Sequence, residues 1–476
     1  MMRSAKVGAA QTPPTLPSPA QGVRWTTPIV ETPGIVVLAS WVWRLVRFLA
    51  TLPLRFPVMV ASAAASGGAW WWLDWPGLAG LWTAALVVSL VWWRVDSVSF
   101  RRWVALRLLA WWRHVMVYRR HWQPVLVISG LAESYQERRY LPRIRRVLCT
   151  AWADRVRITL VAGTSPAHFE ARVAELAHGF GAPSCRVLVE GPRKITLEFP
   201  RRDTLARTVP ALDVGARADL GALGVGVRED GARWALRLHG THVLVAGVTG
   251  SGKGSVIWSA IRAMLPAVAD NIAQVWAIDP KRMELAYGRD LFAHYADDGE
   301  SAVAVLELAV AQMQDRARRY AGKRRSHTPT TEDPFVLVVL DEVAFLTAYH
   351  PDRDIRKRSE NAIATLTSQG RSVGFAVLAA LQDPRKEVMN LRNLFPDKVA
   401  LRLDEASQVD MILGEGARDR GANAHLIDPT LPGVGYVRVE GSPAPVRVRA
   451  AYVSDGDITA MTDAYGADSS SDGEAA

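Results

Sequence analysis

Seven consecutive residues, Gly247-Val248-Thr249-Gly250-Ser251-Gly252-Lys253, have the composition needed to hold a chain of phosphates. Glycines let successive backbone N–H groups turn onto one anion, and a closing lysine can reach the β- and γ-phosphates. The usual next residue is Ser or Thr, whose hydroxyl binds Mg²⁺; here it is Gly254, followed by Ser255. A shift of one residue turns a helical side chain by about 100°. Ser255 is therefore expected to serve as the metal hydroxyl only through a local adjustment of the first turn or a bridging water. Gly247 to Ser255 is the expected binding stretch for ATP with Mg²⁺. Further along, Asp341 and Glu342 close an apolar run, Phe335–Leu340. Asp341 would hold the Mg²⁺ shell and Glu342 would polarise the attacking water as general base. Gln382, at the end of Ala376–Leu381, is placed to sense the γ-phosphate; a simple strand-end turn before Asp383-Pro384 is the other reading.

Such a set needs strands to carry it. His242–Ala246 is apolar and runs into the glycine-rich turn and then an amphipathic stretch, the strand–GxxxxGK–helix context that a P-loop requires. FVLVVL reads as a buried strand, and from His242 onward apolar strands alternate with helices, as in a parallel α/β sheet. Residues 231–453 are read as this ATPase domain. Upstream, residues 124–230 form a small α+β module. Its apolar runs PVLVIS, RVRITLVAG, CRVLVEG and KITLEF read as strands, and His168–Phe180 as a helix. Residues 201–240 read as a linker plus a strand, Ala232–Leu238. Residues 454–476 are acidic and are expected to be disordered.

The N-terminal part has a different solvent. Of 18 tryptophans, fourteen fall between Trp25 and Trp122. Residues 1–33 read as a flexible tail. Residues 34–52 are apolar but carry Arg44 and Arg47, which suits an interfacial helix. Pro57–Leu73 and Gly77–Trp93 are uncharged stretches at the lower limit for a bilayer span, and a buried soluble hairpin is the alternative. Trp70, Trp71, Trp72 and Trp75 cluster at the turn between them, as an aromatic belt would. Twelve arginines between Arg94 and Arg146 face only Asp96, Glu133 and Glu137. This basic collar, closing the membrane region at residue 123 and continuing past it, predicts a multi-pass protein of the cell membrane with both termini cytoplasmic. The formal charge of +10 favours a polyanionic partner, nucleic acid or anionic lipid, although Arg exceeds Lys by 49 to 8 and coding bias accounts for part of it. Cys149 and Cys185 fit no metal-ligand spacing.

Several segments in order resemble the FtsK/SpoIIIE family. HVLVAGVTGSGKG is similar to its Walker A signature, and Ala277-Ile278-Asp279-Pro280-Lys281 with Met283-Glu284-Leu285 to its DPK–EL segment. LVVLDEVAFL, GRSVGFAVLAALQDP and LRNLFPDKVALRL complete the pattern over about residues 230–450. The resemblance implies a RecA-like P-loop NTPase core preceded by a small α+β adaptor and a two-helix transmembrane hairpin. It also implies a homo-hexamer with double-stranded DNA in its pore. ATP would lie between subunits, with a neighbour's arginine completing the site; Arg371 and Arg402 are the candidates by position. Candidates for DNA contact are Arg318, Arg319, Lys323, Arg324 and Arg325 in the basic stretch Arg316–Arg325, and the pair Arg385 and Lys386. Compactness, with one hairpin and a short route to the ATPase domain, the GKGS variant and Arg-rich coding resemble the conjugative branch that transfers plasmids and integrative elements. Three other readings share these features: a chromosome-partitioning pump, a secretion ATPase with a protein substrate, and a non-hydrolysing membrane tether for DNA. Secretion ATPases usually carry several P-loops, and the intact Lys253, Asp341 and Glu342 argue against a tether.

Overall fold

The computed structural model describes residues 57–135, 138–384, 390–438 and 445–466, together with Trp43. The expected tail (residues 1–33), nearly all of the interfacial stretch and the Arg385–Lys386 pair lie outside the described residues. The chain divides into two compact units, residues 1–100 and 101–476.

In the first unit, Pro57–Val95 is helical on both sides of a break at Asp74, where φ is 51°. The break falls in the Asp74-Trp75-Pro76 segment that separates the two uncharged stretches. Pro76 has no N–H to return to the preceding turn. Asp74–Val95 is long and apolar enough to cross a membrane, with mean hydropathy 1.6, and none of it is buried. It is the one helix among the described residues that meets this test, so the two-span hairpin is reduced to one candidate span.

The second unit opens with a helical run that includes Leu106–Arg113 and Arg120–Ile128. The run PVLVIS, expected as a strand, is the end of this helix. The reason lies in its helical spacing: Tyr118, Trp122 and Leu126 recur every four residues and are buried against the next sheet. That sheet has four antiparallel strands, β1 (Arg143–Cys149), β2 (Ala153–Thr159), β3 (Arg186–Gly191) and β4 (Lys194–Pro200), in the order β1-β2-β4-β3. The core of the module thus draws on residues upstream of position 124. Fully buried Asp154 on β2 gathers its polar contacts. It pairs with Arg113, accepts from Tyr118 Oη at 2.8 Å, and accepts from Arg201 Nε at 2.9 Å. The stretch expected as the helix His168–Phe180 is two short helices, Pro166–Glu170 and Val173–Gly179. Cys149 and Cys185 are buried free thiols.

The larger sheet has eleven strands. Its members are β5 (Leu223–Arg228), β6 (Arg233–Leu236), β7 (Val243–Ala246), β8 (Ala273–Ile278), β9 (His294–Ala296), β10 (Phe335–Leu340), β11 (Phe375–Leu381), β12 (Asp397–Leu401), β13 (Val434–Arg438) and β14 (Val446–Tyr452), with Val209–Pro210 added beside β14. The order is β9-β8-β10-β11-β7-β12-β13-β14-β5-β6. From β9 to β12 every pairing is parallel, and from β12 to β6 every pairing is antiparallel. The strand expected at Ala232–Leu238 is Arg233–Leu236, and within the expected linker Leu223–Arg228 is a second strand that pairs with it in a hairpin closing this sheet at one edge.

Both faces of the parallel part are covered, which is why its strands are apolar without alternation. Helices α1 (Lys253–Ala269), α2 (Gly299–Tyr320), α3 (Arg353–Gln369), α4 (Ala406–Leu413) and α5 (Asp455–Tyr465) supply the cover. On one face Val336, Val338 and Leu340 pack with Leu306 and Met313 of α2 and Ile363 of α3. On the other Phe335, Leu337 and Val339 share a core with Ile257 and Ile261 of α1 and Ile458 and Met461 of α5. Helix α5 corrects the expectation of a disordered acidic tail from residue 454. Ser454 caps it by accepting from the Asp457 N–H, and Asp455 and Asp457 sit in the first turn, where negative charge is favoured. Its apolar residues Ile458 and Met461 are three apart and both buried. Residues 467–476 lie outside the described residues.

At the amino-terminal edge of the parallel strands, His242 is fully buried and its Nδ1 accepts the Val377 N–H at 3.1 Å. Burial, and secondarily the charge of Arg371, push its pKa down to about 4. His327 on the same edge is also lowered to about 4, mainly by burial. An unfolded histidine protonates near 6.5, so the unfolded chain takes up protons first as pH falls. The stability these residues allow is complete above about 6.5 and is lost as pH drops toward 4. Denaturant midpoints measured between pH 6.5 and 5 are expected to fall with pH. His242→Asn, whose Oδ1 can keep the Val377 bond without titrating, is expected to flatten that slope.

Candidate nucleotide site

The functional side chains leave the sheet at the carboxyl ends of its parallel strands. Strand β7 runs directly into the glycine-rich turn, and the turn hands over to α1 at Lys253. Gly250 and Gly252 have φ of 73° and 93°, in the left-handed region that side chains resist. Gly252 also lies against Gly433, whose Cα would be 2.8 Å from any Cβ placed there. Neighbouring strands fix the turn in place: the Gly247 N–H donates to Leu381 O at 3.0 Å and the Val248 N–H to Arg402 O at 3.0 Å. The Gly433 N–H donates to Ser251 O at 2.8 Å. Lys253 is buried, and its Nζ donates to Gly247 O at 2.8 Å and Val248 O at 3.2 Å. Burial lowers its pKa, opposed by the charges of Glu342 and Asp341.

Asp341 and Glu342 follow β10, separated from β7 by one intervening strand, β11. Two strand spacings are about 9.6 Å, which leaves room between the loop and Glu342 for a terminal phosphate and a water. Both acids are buried. The Asp341 carboxyl is pushed up to about 7, first by burial and then by the charge of Asp279. Glu342 is held from two sides, by Lys281 Nζ at 3.2 Å and by the Gln382 N–H at 3.4 Å. Gln382, at the end of β11, reaches across the mouth of the loop: its Oε1 accepts from Thr249 Oγ1 at 3.3 Å. Lys253, Asp341, Glu342 and Gln382 are thus brought to one place.

Three residues at this place are missed by reasoning from the loop and the paired acids alone: Asp279, Lys281 and Glu284. The available signal was β8, an apolar strand that ends in Asp-Pro-Lys as β10 ends in Asp-Glu. Fully buried Asp279 accepts the Glu284 and Leu285 N–H groups on Oδ2, at 3.1 and 2.8 Å. Its Oδ1 is buried without a partner. Burial raises the Glu284 pKa, and the charge of Asp279 raises it further. Among the described residues no group of three or more His, Cys, Asp or Glu could hold a metal by itself. A divalent ion here would take its other ligands from phosphate and water, as Mg²⁺ commonly does. An orphaned buried carboxylate oxygen beside Asp341 fits such an ion.

The remaining candidates lie elsewhere. Arg402 follows β12 and donates from Nη2 to Thr249 O at 3.2 Å, so it braces the loop of its own chain. Arg371 sits at the opposite, amino-terminal edge, donating to Gly240 O at 2.9 Å. The basic stretch Arg316–Arg325 is at that same edge, and only its second half is a loop, because α2 runs to Tyr320. Arg316 is a core residue: its guanidinium lies 4.8 Å over the Phe375 ring and donates to Val373 O at 3.0 Å. Arg319 is tied to Asp333 at 2.7 Å, whereas Arg318, Lys323, Arg324 and Arg325 are exposed.

The chain is similar to several known proteins. Residues 221–327 match the FtsK/SpoIIIE family model. The chain is 25% identical over 342 residues to the DNA translocase FtsK of Mycobacterium tuberculosis, covering 65% of this chain and 40% of that protein. It is 27% identical over 240 residues to the DNA translocase FtsK of Listeria monocytogenes, covering 46% of this chain and 30% of that one. The chain therefore spans less than half the length of these relatives. Among solved structures, the pCW3 conjugation coupling protein TcpA bound to ATPγS overlays with a TM-score of 0.48 at 16% identity, covering 72% of this chain and 98% of that one. The cytoplasmic domain of the type VII secretion ATPase EccC of Thermomonospora curvata gives 0.42 at 21% identity, covering 56% and 33%. Residues 221–327 are thus similar to the FtsK/SpoIIIE family, and the core is that of a P-loop ATPase.

Glu342→Gln keeps the shape and the Lys281 contact but removes the base. It is expected to slow ATP hydrolysis by roughly 10²- to 10⁴-fold with ATPγS binding intact, as read by steady-state turnover and calorimetry. Lys253→Ala is expected to lose binding as well.

Proposed function

We propose that this chain is a membrane-anchored, ATP-driven translocase of double-stranded DNA, working as a homo-hexamer in the transfer of a plasmid or integrative element between cells. The observation that carries the reading is the grouping of Lys253, Asp341, Glu342 and Gln382 at one strand edge within a chain similar to named DNA translocases. In this mechanism Lys253 and the loop N–H groups bind the phosphates of ATP, and Glu342, oriented by Lys281, takes the proton of the attacking water. Gln382 links the terminal phosphate position to β11. Mg²⁺, with Asp341 in its shell, would neutralise the phosphates. Arg371 and Arg402 each donate to a carbonyl of their own chain, and both are candidates for the arginine offered to a neighbouring subunit.

Two further features support the cargo and the anchor. Exposed Arg318, Lys323, Arg324 and Arg325 end α2 as a cationic patch suited to a phosphate backbone. In the collar, Arg102, Arg107, Arg145 and Arg146 line one groove with Trp103 and Trp111. Arginine and tryptophan together suit the anionic interface of a bilayer, next in sequence to the apolar helix Asp74–Val95.

ATP turnover by the full chain in nanodiscs is expected to rise several-fold with duplex DNA, and to rise less as salt increases. Charge-reversing Arg318, Lys323, Arg324 and Arg325 together is expected to abolish that stimulation without changing basal turnover. Stimulation that is absent with duplexes of every length would refute the translocase reading.

A further inference from the structure

The loop lacks the hydroxyl that normally follows its lysine, and the space where that side chain would project is filled. A Cβ placed on Gly254 would overlap Oε1 of Glu284 outright, with Cδ at 2.5 Å and Oε2 at 3.0 Å. With glycine at position 254 the Glu284 carboxylate occupies this space, and a larger residue there would have to move that flexible side-chain end aside.

The approach is built from several sides. Glu284 lies in the turn that follows β8, and this turn bends through Arg282, a non-glycine residue with φ of 59°. Such a conformation is strained for a residue with a Cβ and persists only where surrounding contacts enforce it. Here Asp279 enforces it by accepting the Glu284 and Leu285 N–H groups. Trp258, one turn along α1 from Gly254, donates its Nε1–H to Glu284 O at 3.2 Å. The backbone of Glu284 is thus held against the first turn of α1, with its side chain directed at the vacated position. Among the described residues no side chain hydrogen-bonds the Glu284 carboxylate. Fully buried Asp279 beside it also keeps Oδ1 without a partner. The free oxygens of Asp279 and Glu284, next to Asp341 and the phosphate loop, suit a hard cation that takes its other ligands from phosphate and water.

We infer that Glu284 replaces the missing hydroxyl as a protein ligand of the nucleotide-bound Mg²⁺, and that Gly254 is the residue that makes this exchange possible. The proposal rests on the ATPase reading and assigns to Glu284 the metal role otherwise expected of Ser255. It also explains why Gly254 coexists with an otherwise intact site: the ligand has moved to another strand.

The test uses the full chain in nanodiscs with ATPγS, and Mn²⁺ in place of Mg²⁺, read by electron paramagnetic resonance without turnover. Glu284→Ala is expected to weaken Mn²⁺ binding to the ATPγS complex by about 10- to 100-fold, while ATPγS binding in EDTA stays at the wild-type level. Adding Gly254→Ser to Glu284→Ala places a hydroxyl in the emptied space and is expected to restore most of the lost Mn²⁺ affinity. Ser255→Ala is expected to leave it unchanged. Unaltered Mn²⁺ affinity in Glu284→Ala, or a loss that appears in Ser255→Ala instead, would overturn the assignment. A wild-type chain that fails to bind ATPγS would refute the underlying ATPase reading rather than this inference.

Discussion

A parallel strand buried on both faces can keep a charged side chain only at its ends, because an ionised group in the middle would be taken from water with no partner. That constraint organises the larger sheet. Strands β7, β10 and β11 are apolar along their length and β8 is so except for Gln274 near its start, and the residues of the site begin one position beyond each strand: Gly247, Asp279, Asp341 and Gln382. All four strands run the same way, so these residues arrive at one edge without any loop having to steer them there. The antiparallel strands β13, β14, β5 and β6 extend the sheet, and β13 brings Gly433, just before its first residue, beneath the loop.

Gathering so many acids at one edge has an electrostatic consequence. Asp279, Glu284, Asp341 and Glu342 crowd around two cations, Lys253 and Lys281, and the elevated pKa values of Asp341 and Glu284 express the mutual repulsion together with burial. Lys281 is spent on Glu342. Lys253 is spent on loop carbonyls and is itself depressed by burial. The imbalance is the kind a divalent cation removes, and it is steepest between Asp341 and Asp279, the first charge to act on Asp341.

The strands and the loop were legible in the sequence because their chemistry is local. A run such as FVLVVL followed by Asp-Glu states its burial and its end in the same eight residues. What was not legible depended on packing between distant segments. The run PVLVIS is apolar in either a strand or a helix, and only Tyr118 and Trp122, four residues apart, tip it to helix. Leu223–Arg228 contains glycines that look like a linker, yet Gly226 is required because the backbone of Arg449 passes against it in the adjacent strand. In the acidic tail, composition outweighed the capping serine and the two apolar residues that fold α5 onto the sheet. Arg316 reads as one more charge in a basic run, but its guanidinium is buried on Phe375. The departure at Gly254 was visible from the start. Its cause was not, because Glu284 meets it only through the turn after a different strand.

The same sheet also sets the nucleotide-site residues and the basic patch at opposite ends of its strands. Nucleotide chemistry sits at the carboxyl edge, while Arg371 and the exposed basic end of α2 sit at the amino edge. Strand β11 spans both: Arg371 and Val373 precede it, and Gln382 follows it against Thr249 and Glu342. Its seven residues are all buried, and a close-packed strand transmits a displacement along its axis rather than absorbing it. Val373 also holds Arg316, the residue that anchors the basic end of α2 to the sheet. In a motor, a pull on Gln382 by the terminal phosphate would therefore be delivered, through one rigid element, to both the arginine that could face a neighbour and the patch that could face DNA. Every residue of that strand is buried, as a rigid link of this kind would require.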